Sequence, residues 1–167
     1  MGKARKRFGQ HFLEPAWVIK LVTAIEPGPA DRFIEIGPGR GAITEPLASR
    51  VGKVVAVEVD RDLAAVLEAR ALPNVTVVAG DVLAVDLVEI ARQLGGDVRV
   101  AGNLPYNISS PILFRLLAAA ESGLFKDATL MLQREVADRL VAKPSTGDYG
   151  VLTLSIMLGA DVTRVLT

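Results

Sequence analysis

The stretch RFIEIGPGRGAIT, residues 32–44, joins a short apolar run to a glycine-rich turn and then to a helical pattern. Arg32–Ile36 has the length and the apolar content of a buried strand. Gly37, Gly39 and Gly41 follow it and permit a tight turn in which the backbone approaches a ligand at the start of the next helix. A strand, a glycine turn and a helix in this order indicate one unit of a parallel sheet.

The same alternation continues along the chain. The further strand candidates are Val54–Val59, Val75–Ala79, Val98–Gly102 and Ala128–Gln133. The helical patterns are Pro15–Ile25, Ala42–Arg50, Arg61–Ala71, Val85–Gln93 and Pro111–Ala120. Apolar strands separated by helices predict an α/β fold with a doubly wound, mostly parallel sheet covered on both faces. The segment GADVTRVLT, residues 159–167, predicts a sixth strand over Ala160–Leu166.

Composition limits the class of protein. The chain has 167 residues, half of them hydrophobic, which predicts one domain over residues 1–167 with one sizeable core. Acidic and basic residues balance at 19 each, so the net charge indicates no particular partner. The absence of cysteine fits a cytoplasmic protein, and neither a membrane span nor a signal peptide is predicted. We expect no metal site.

The carboxyl ends of the strands are where such sheets bind ligands. Glu58 ends the second strand candidate, where its carboxylate can accept hydrogen bonds from both hydroxyls of a ribose. The spacing G-x-G-x-G, with Pro38 lacking an N–H, argues against the pyrophosphate site of nicotinamide enzymes. A ligand with ribose and adenine but no phosphate fits better, and S-adenosyl-L-methionine is such a ligand. The alternative is a strand-to-helix turn that only needs positive φ, with Glu58 as a solvated charge.

Asp81 follows the third strand candidate in the same way. Its carboxylate can accept a hydrogen bond from the adenine amino group, while Val82 offers a backbone N–H and Leu83 an apolar wall. The alternative is an Asx turn or a helix N-cap, which is common for an Asp before a helix. The position at the expected ligand edge favours binding.

These motifs together resemble a known family. The segments that carry the resemblance are FGQHFL (8–13), EIGPGRGAIT (35–44), Glu58, GDVL (80–83), NLPYN (103–107), MLQREVADRL (131–140) and DYGVLTL (148–154). They are similar to the Rossmann-like class I S-adenosylmethionine-dependent methyltransferases, and most of all to the ribosomal RNA adenine N6-dimethyltransferases. The resemblance implies transfer of methyl groups to N6 of adjacent adenosines near the 3′ end of small-subunit ribosomal RNA. It also implies a pre-ribosomal particle as partner and a monomer in the cytoplasm.

NLPY has a physical reason within such an enzyme. The N6 lone pair of adenine is delocalised into the ring, so acceptors must hold the amino group and aim it. The Asn103 side-chain oxygen and the Leu104 carbonyl can accept from it, and Pro105 biases Leu104 away from helical geometry. Tyr106 offers a face on which a flipped base stacks. Asn103 also counts, with Gly37 and Gly39, among the expected cofactor contacts. The alternative is a turn rich in Asn and Pro.

The N-terminal residues 1–14 are predicted to be a basic arm followed by a segment that covers the cofactor. The resemblance places Gln10, His11 and Leu13 at the cofactor, with His11 as a contact and not a base. Taken without the resemblance, the four basic side chains of this arm indicate a solvated tail. The resemblance implies instead that they contact RNA. These four are Lys3, Arg5, Lys6 and Arg7.

The resemblance also implies features that the sequence does not contain. They are a seventh, antiparallel strand, a C-terminal helical domain, and a Pro-rich segment whose Phe would pack on the target base. We therefore expect a truncated catalytic domain that holds the cofactor and acts weakly on RNA. Two further functions stay open: an adenine methyltransferase on another nucleic acid, and a non-enzymatic ribosome assembly factor. A nicotinamide oxidoreductase is disfavoured by Pro38.

Overall fold

The computed structural model describes residues 13–105 and 107–166. Its helices are α1 (Pro15–Ile25), α2 (Thr44–Ala48), α3 (Arg61–Glu68), α4 (Leu87–Gln93), α5 (Ser109–Ala120), α6 (Arg134–Leu140) and α7 (Val151–Met157). Its strands are β1 (Arg32–Ile36), β2 (Lys53–Glu58), β3 (Val75–Ala79), β4 (Val98–Asn103) and β5 (Phe125–Met131). Helix α5 is the longest with 12 residues, so no helix in the described ranges is long and apolar enough to span a bilayer.

The five strands form one sheet in the order β3-β2-β1-β4-β5, and every neighbouring pair is parallel. The chain winds from β1 outward to β3, then returns to place β4 on the other side of β1. The winding direction therefore reverses between β1 and β4, where Ile36 is paired with Gly102. This topology confirms the predicted doubly wound α/β fold, and it fixes where a ligand crevice opens.

Apolar side chains cover both faces of the sheet. On one face, α1 and α2 pack over Phe33, Val54 and Ala101, with Leu21 and Leu47 among the residues they contribute. The opposite face carries the larger cluster, to which α4 and α5 contribute buried residues such as Leu87, Ala91, Ile112 and Leu116. Covered faces explain why the strands read as continuous apolar runs and not as alternating ones.

Local signals set the ends of several helices. Helix α1 has Pro15 in its first turn and ends where Glu26 takes the left-handed conformation, φ 49°, just before Pro27. Asp60 caps α3 by accepting hydrogen bonds from the Asp62 and Leu63 N–H groups at 3.0 and 3.4 Å. The observed bounds of α1, β1 and β3 agree with the predicted ones.

The last strand of the sheet begins earlier than the sequence indicates. We expected a strand over Ala128–Gln133, whereas β5 spans Phe125–Met131. The apolar pattern does not predict the start of β5, because Lys126 and Asp127 are polar and exposed. Asp127 has a partner that only the folded chain reveals, since the Nε of Arg99 donates to it at 3.0 Å.

The predicted sixth strand is wrong. Residues 160–166 form neither strand nor helix, and β5 pairs only with β4. A strand exists only if its backbone groups pair with a neighbour, and no segment within residues 13–105 and 107–166 pairs with this one. Val162 packs instead against the cluster that joins α5, α6 and α7, and Leu166 packs under α1. Helices α6 and α7 were not assigned from the sequence.

Candidate functional site

Four loops meet at the carboxyl edge of the sheet. They follow β3, β2, β1 and β4, which are consecutive in the strand order. The structure thereby brings together the predicted residues Gly37, Gly39, Glu58, Asp81, Val82, Asn103, Leu104 and Pro105. The arrangement lies at the point where the winding reverses, so the crevice expected for a doubly wound sheet opens among these loops.

The turn after β1 depends on its glycines. Gly37, Gly39 and Gly41 have φ of 65°, 56° and 79°, which other residues adopt only with strain. The Gly37 N–H donates to the Val57 carbonyl at 3.0 Å, so the turn starts on a fixed point of β2. A Cβ added at Gly39 would meet no atom of the described residues within 4 Å, so none of them fills the space beside the turn.

Glu58 joins the first two loops. Its side chain is buried, and its two carboxylate oxygens accept hydrogen bonds from the backbone N–H groups of Gly39 and Asp60, both at 2.9 Å. A carboxylate oxygen has two lone pairs, so each can accept one more hydrogen bond. Glu58 therefore shapes the glycine turn whether or not a ribose binds, and its contact with a ribose stays a prediction.

The loop after β3 has the conformation of an Asx turn. The Oδ1 of Asp81 accepts from the Leu83 N–H at 2.9 Å, which is the alternative considered for this residue. Asp81 is exposed to solvent, while Val82 is buried in the core. The Gly80 N–H donates to the Glu58 carbonyl at 2.8 Å, which ties this loop to the end of β2. The Asx turn holds Asp81 in place and does not exclude a ligand at its other oxygen.

The end of β4 lies beside the start of the glycine turn. A Cβ on Gly102 would lie 2.7 Å from the Ile36 carbonyl oxygen, so only glycine allows β1 and β4 to approach this closely. A Cβ on Gly37 would lie 3.9 Å from the Asn103 carbonyl oxygen. Leu104 is buried and its N–H donates to the Met131 carbonyl at 3.0 Å. The start of the predicted base-binding turn is thus held by a backbone hydrogen bond to the end of β5.

Glu35 is a residue of this edge for which the sequence motifs indicate no role. It is fully buried in β1, and neither carboxyl oxygen has a hydrogen-bond partner in the described part of the chain. The Thr44 hydroxyl is also buried and has no hydrogen-bond partner among the described residues. The pKa of Glu35 is raised to about 7: burial raises it most, the nearby Thr44 hydroxyl lowers it, and the charge of Glu58 raises it. A Glu inside the apolar run RFIEI was the signal available for it.

Comparison with known proteins identifies the family. A family model described as ribosomal RNA adenine dimethylase matches residues 1–167. The chain belongs to this family. The resemblance seen in the NLPYN and EIGPGRGAIT segments is therefore confirmed for the chain as a whole.

Relatives within the dimethylase family are longer than this chain. The ribosomal RNA small subunit methyltransferase A of Variovorax paradoxus is 51% identical over 156 residues, which are 93% of this chain and 59% of that protein. The protein of the same name from Bordetella pertussis is 53% identical over 161 residues, 95% of this chain and 57% of that one. The chain thus spans somewhat under three fifths of these relatives.

Solved structures agree with the family and the fold. A dimethyladenosine transferase from Plasmodium falciparum superposes with a TM-score of 0.76 at 30% identity, covering 89% of this chain and 52% of that one. The 23S rRNA methyltransferase ErmE gives a TM-score of 0.68 at 29% identity, with coverages of 84% and 53%. Both matches confirm the Rossmann-like methyltransferase fold.

Several predicted residues of this dimethylase chain lie outside the described residues. They are Lys3, Arg5, Lys6, Arg7, Gln10, His11 and Tyr106. Leu13, the first described residue, packs against the apolar cluster beneath α1, and its contact with a cofactor stays a prediction.

Proposed function

We propose that this chain is the methyl-transfer domain of an S-adenosylmethionine-dependent adenine N6-dimethyltransferase that acts on small-subunit ribosomal RNA. One observation carries the proposal: the Asn103 backbone carbonyl, at the end of β4, lies beside Gly37 of the glycine turn at the reversal point of the sheet. A base-binding loop and a cofactor-binding loop in contact are what transfer between two bound molecules requires. Membership of the dimethylase family and relatives named as small-subunit methyltransferases support the target.

The residues present fit the cofactor. No atom of the described residues fills the space beside Gly39, and Glu58 lies next to it with spare acceptor capacity. The carboxyl group of Glu35, which has no partner among the described residues, is buried two residues before Gly37. We infer that Gly37, Gly39 and Glu58 hold the ribose side, and that Asp81 and Val82 hold the adenine. When bound, S-adenosylmethionine supplies a methyl group on a positively charged sulfur.

The chain's own residues present the target amine. The side-chain oxygen of Asn103 and the carbonyl of Leu104 accept hydrogen bonds from the amino group of a flipped adenine, which directs its lone pair toward the glycine turn. Pro105 keeps Leu104 out of helical geometry, so its carbonyl is available to the base. Tyr106 stacks on the base, a contact usually worth about 1–3 kcal/mol. The rate then comes from alignment and electrostatics, and no strong general base is required.

The RNA partner follows from the same proposal. We place the basic residues of the N-terminal arm against the phosphates beside the flipped adenine, where cations contribute affinity without sequence preference. The substrate is ribosomal RNA within a pre-ribosomal particle, bound by a monomer in the cytoplasm. Methylation of large-subunit RNA is a second candidate, favoured by the structural similarity to ErmE.

The test measures binding and transfer with the same chain. Titration calorimetry with S-adenosylmethionine is expected to show one site per chain. Transfer of a labelled methyl group is then measured on small-subunit particles, on naked small-subunit RNA and on naked 23S RNA, with mass spectrometry to locate N6-methylated adenines. Failure to bind the cofactor would contradict the proposal. If only 23S RNA were labelled, the substrate would be large-subunit RNA, which is the second candidate.

A further inference from the structure

Arg115 makes a contact that the proposed chemistry does not use. It lies in the middle of α5, and its Nη2 donates a hydrogen bond at 2.9 Å to the carbonyl oxygen of Val85, in the loop after β3. Its Nε is buried and has no hydrogen-bond partner in residues 13–105 and 107–166. Strands β3 and β4 are not neighbours, because β2 and β1 lie between them. Arg115 therefore connects two site elements that the sheet itself keeps apart.

The position of Val85 determines the shape of the whole loop. The Asp81 carbonyl accepts hydrogen bonds from the Ala84 and Val85 N–H groups, both at 2.9 Å, so this loop is a single closed turn. A Cβ on Gly80 would lie 2.9 Å from the Cγ1 of Val85, so the other end of the loop also packs against Val85. A shift of the Val85 carbonyl would move Asp81 with it.

Packing alone does not explain an arginine here. Its neighbours on α5, Ile112 and Leu116, belong to the same apolar cluster as Val82. Desolvating a guanidinium costs free energy, and its Nε–H group has no partner in the described part of the chain. An apolar side chain of similar length would fill the space without this cost. The hydrogen bond to Val85 is the interaction that such a side chain could not provide.

We propose that Arg115 is a positioning residue: it holds the loop after β3 at the distance from α5 at which Asp81 faces the adenine of the cofactor. This inference rests on the proposed function. Because α5 begins just after the Asn103 turn, the same contact sets the adenine loop relative to the base-binding turn. Arg115 touches neither bound molecule and acts through Asp81.

The experiment compares two ligands that differ at one position of the purine. S-adenosylhomocysteine has the 6-amino group that Asp81 would accept from, and S-inosylhomocysteine has an oxygen there. The unmodified chain is expected to prefer the adenosyl ligand about tenfold or more, the usual effect of a hydrogen bond to a charged acceptor. Arg115→Met is expected to bind it about fivefold more weakly and to lose most of the preference. Arg92→Met is the control, since Arg92 is exposed on α4 and pairs with Glu89 on the same helix.

Each outcome decides between the claims. Loss of the preference in Arg115→Met but not in Arg92→Met supports the inference. An unchanged preference in Arg115→Met overturns it, even if the melting temperature falls, because the arginine would then stabilise the fold and nothing more. Arg115→Gln replaces the Met variant if the latter does not fold. If the unmodified chain binds neither ligand, it is the proposed function that fails.

Discussion

Polar side chains at the two edges of the sheet have different kinds of hydrogen-bond partners. At the amino edge, Arg99 donates to Asp127 at 3.0 Å, to Asp31 at 2.7 Å and to the Ile25 carbonyl at 2.8 Å, and its guanidinium lies 5.1 Å from the centroid of the Phe33 ring. At the carboxyl edge, the side chain of Glu58 accepts from the backbone of two loops, and that of Asp81 from one. Glu35 has no partner among the described residues.

This contrast separates the parts of the molecule that hold the fold from those that hold a ligand. Side chains at the amino edge partner one another and connect α1, β1, β4 and β5. Side chains at the carboxyl edge shape backbone turns and keep acceptor capacity. We therefore expect substitutions at the amino edge to change the free energy of unfolding alone, and those of the ligand-facing acceptors at the carboxyl edge to change binding or transfer as well.

Asn103→Ala is expected to have the largest effect. It removes an acceptor that holds the target amine, and loss of one such group typically lowers the rate about 100-fold or more. Single-turnover transfer to small-subunit particles measures the rate, and calorimetry measures the cofactor affinity of the same variant. The affinity is expected to change far less than the rate. Equal losses in both would place Asn103 in the cofactor site and not at the target base.

Arg99→Met tests the other edge. Removing the guanidinium leaves Asp31 and Asp127 without their partner. The Arg99 side chain is largely covered but Asp127 is exposed, so the loss is expected to lie between that of a surface pair and that of a buried pair, about 1–3 kcal/mol. Urea unfolding followed by circular dichroism measures this loss. At temperatures where the variant is folded, its cofactor affinity is expected to match that of the unmodified chain. A weakened affinity in the folded variant would contradict the separation of the two edges.

The same contrast explains how far the sequence alone can lead. The bounds of β1 and β3 could be predicted because apolar runs end at Gly37 and Gly80, and strand ends locate a ligand edge in a parallel sheet. The start of β5 could not be predicted, because Asp127 is paired with Arg99, 28 residues away. Such pairings depend on the fold and leave no local pattern.

The site shows the same division. The spacing of glycines and of acidic residues at strand ends can be read from the sequence. This spacing predicts the loops that carry Glu58 and Asp81. Arg115 gave no signal, since an Arg on a helix normally indicates a solvated face. Only the folded chain places its guanidinium against Val85.

Stability is expected to respond to pH in opposite directions at the two edges. The pKa of Glu35 is raised from its ordinary value of 4.5 to about 7. Between these two pH values the folded chain therefore binds more protons at Glu35 than the unfolded chain does. Its contribution to stability therefore falls by about 2–3 kcal/mol as the pH rises from about 4.5 to about 7. Burial would raise the pKa of Asp31, but the Gly28 N–H and the Arg99 guanidinium outweigh it and lower the pKa. That contribution is present above the usual pKa and is lost in acid.

Glu35→Gln isolates the carboxyl edge in this experiment. Urea unfolding of both chains at pH 5, 6, 7 and 8 is expected to show the variant gaining stability relative to the unmodified chain as the pH rises. Glu45→Gln, at an exposed position of α2, is the control and is expected to show no such trend. A constant difference between the Glu35 variant and the unmodified chain across this range would show that Glu35 is not protonated in the fold.

The smallest expected effect compares two aspartates of one loop that make similar backbone contacts. Asp81 accepts from the Leu83 N–H and Asp86 from the Glu89 N–H, each at 2.9 Å. If both were only turn-forming residues, Ala at either position would cost about 1 kcal/mol of stability and leave cofactor binding alone. Asp86 caps α4, so Asp86→Ala is expected to behave in that way. Asp81→Ala is expected to weaken the affinity for S-adenosylmethionine about tenfold in addition, because its second oxygen would contact the adenine. Calorimetry measures the cofactor affinity of the two variants, and urea unfolding measures their stability. If Asp81→Ala and Asp86→Ala showed the same affinity and the same stability, Asp81 would only form the Asx turn and would not bind the cofactor.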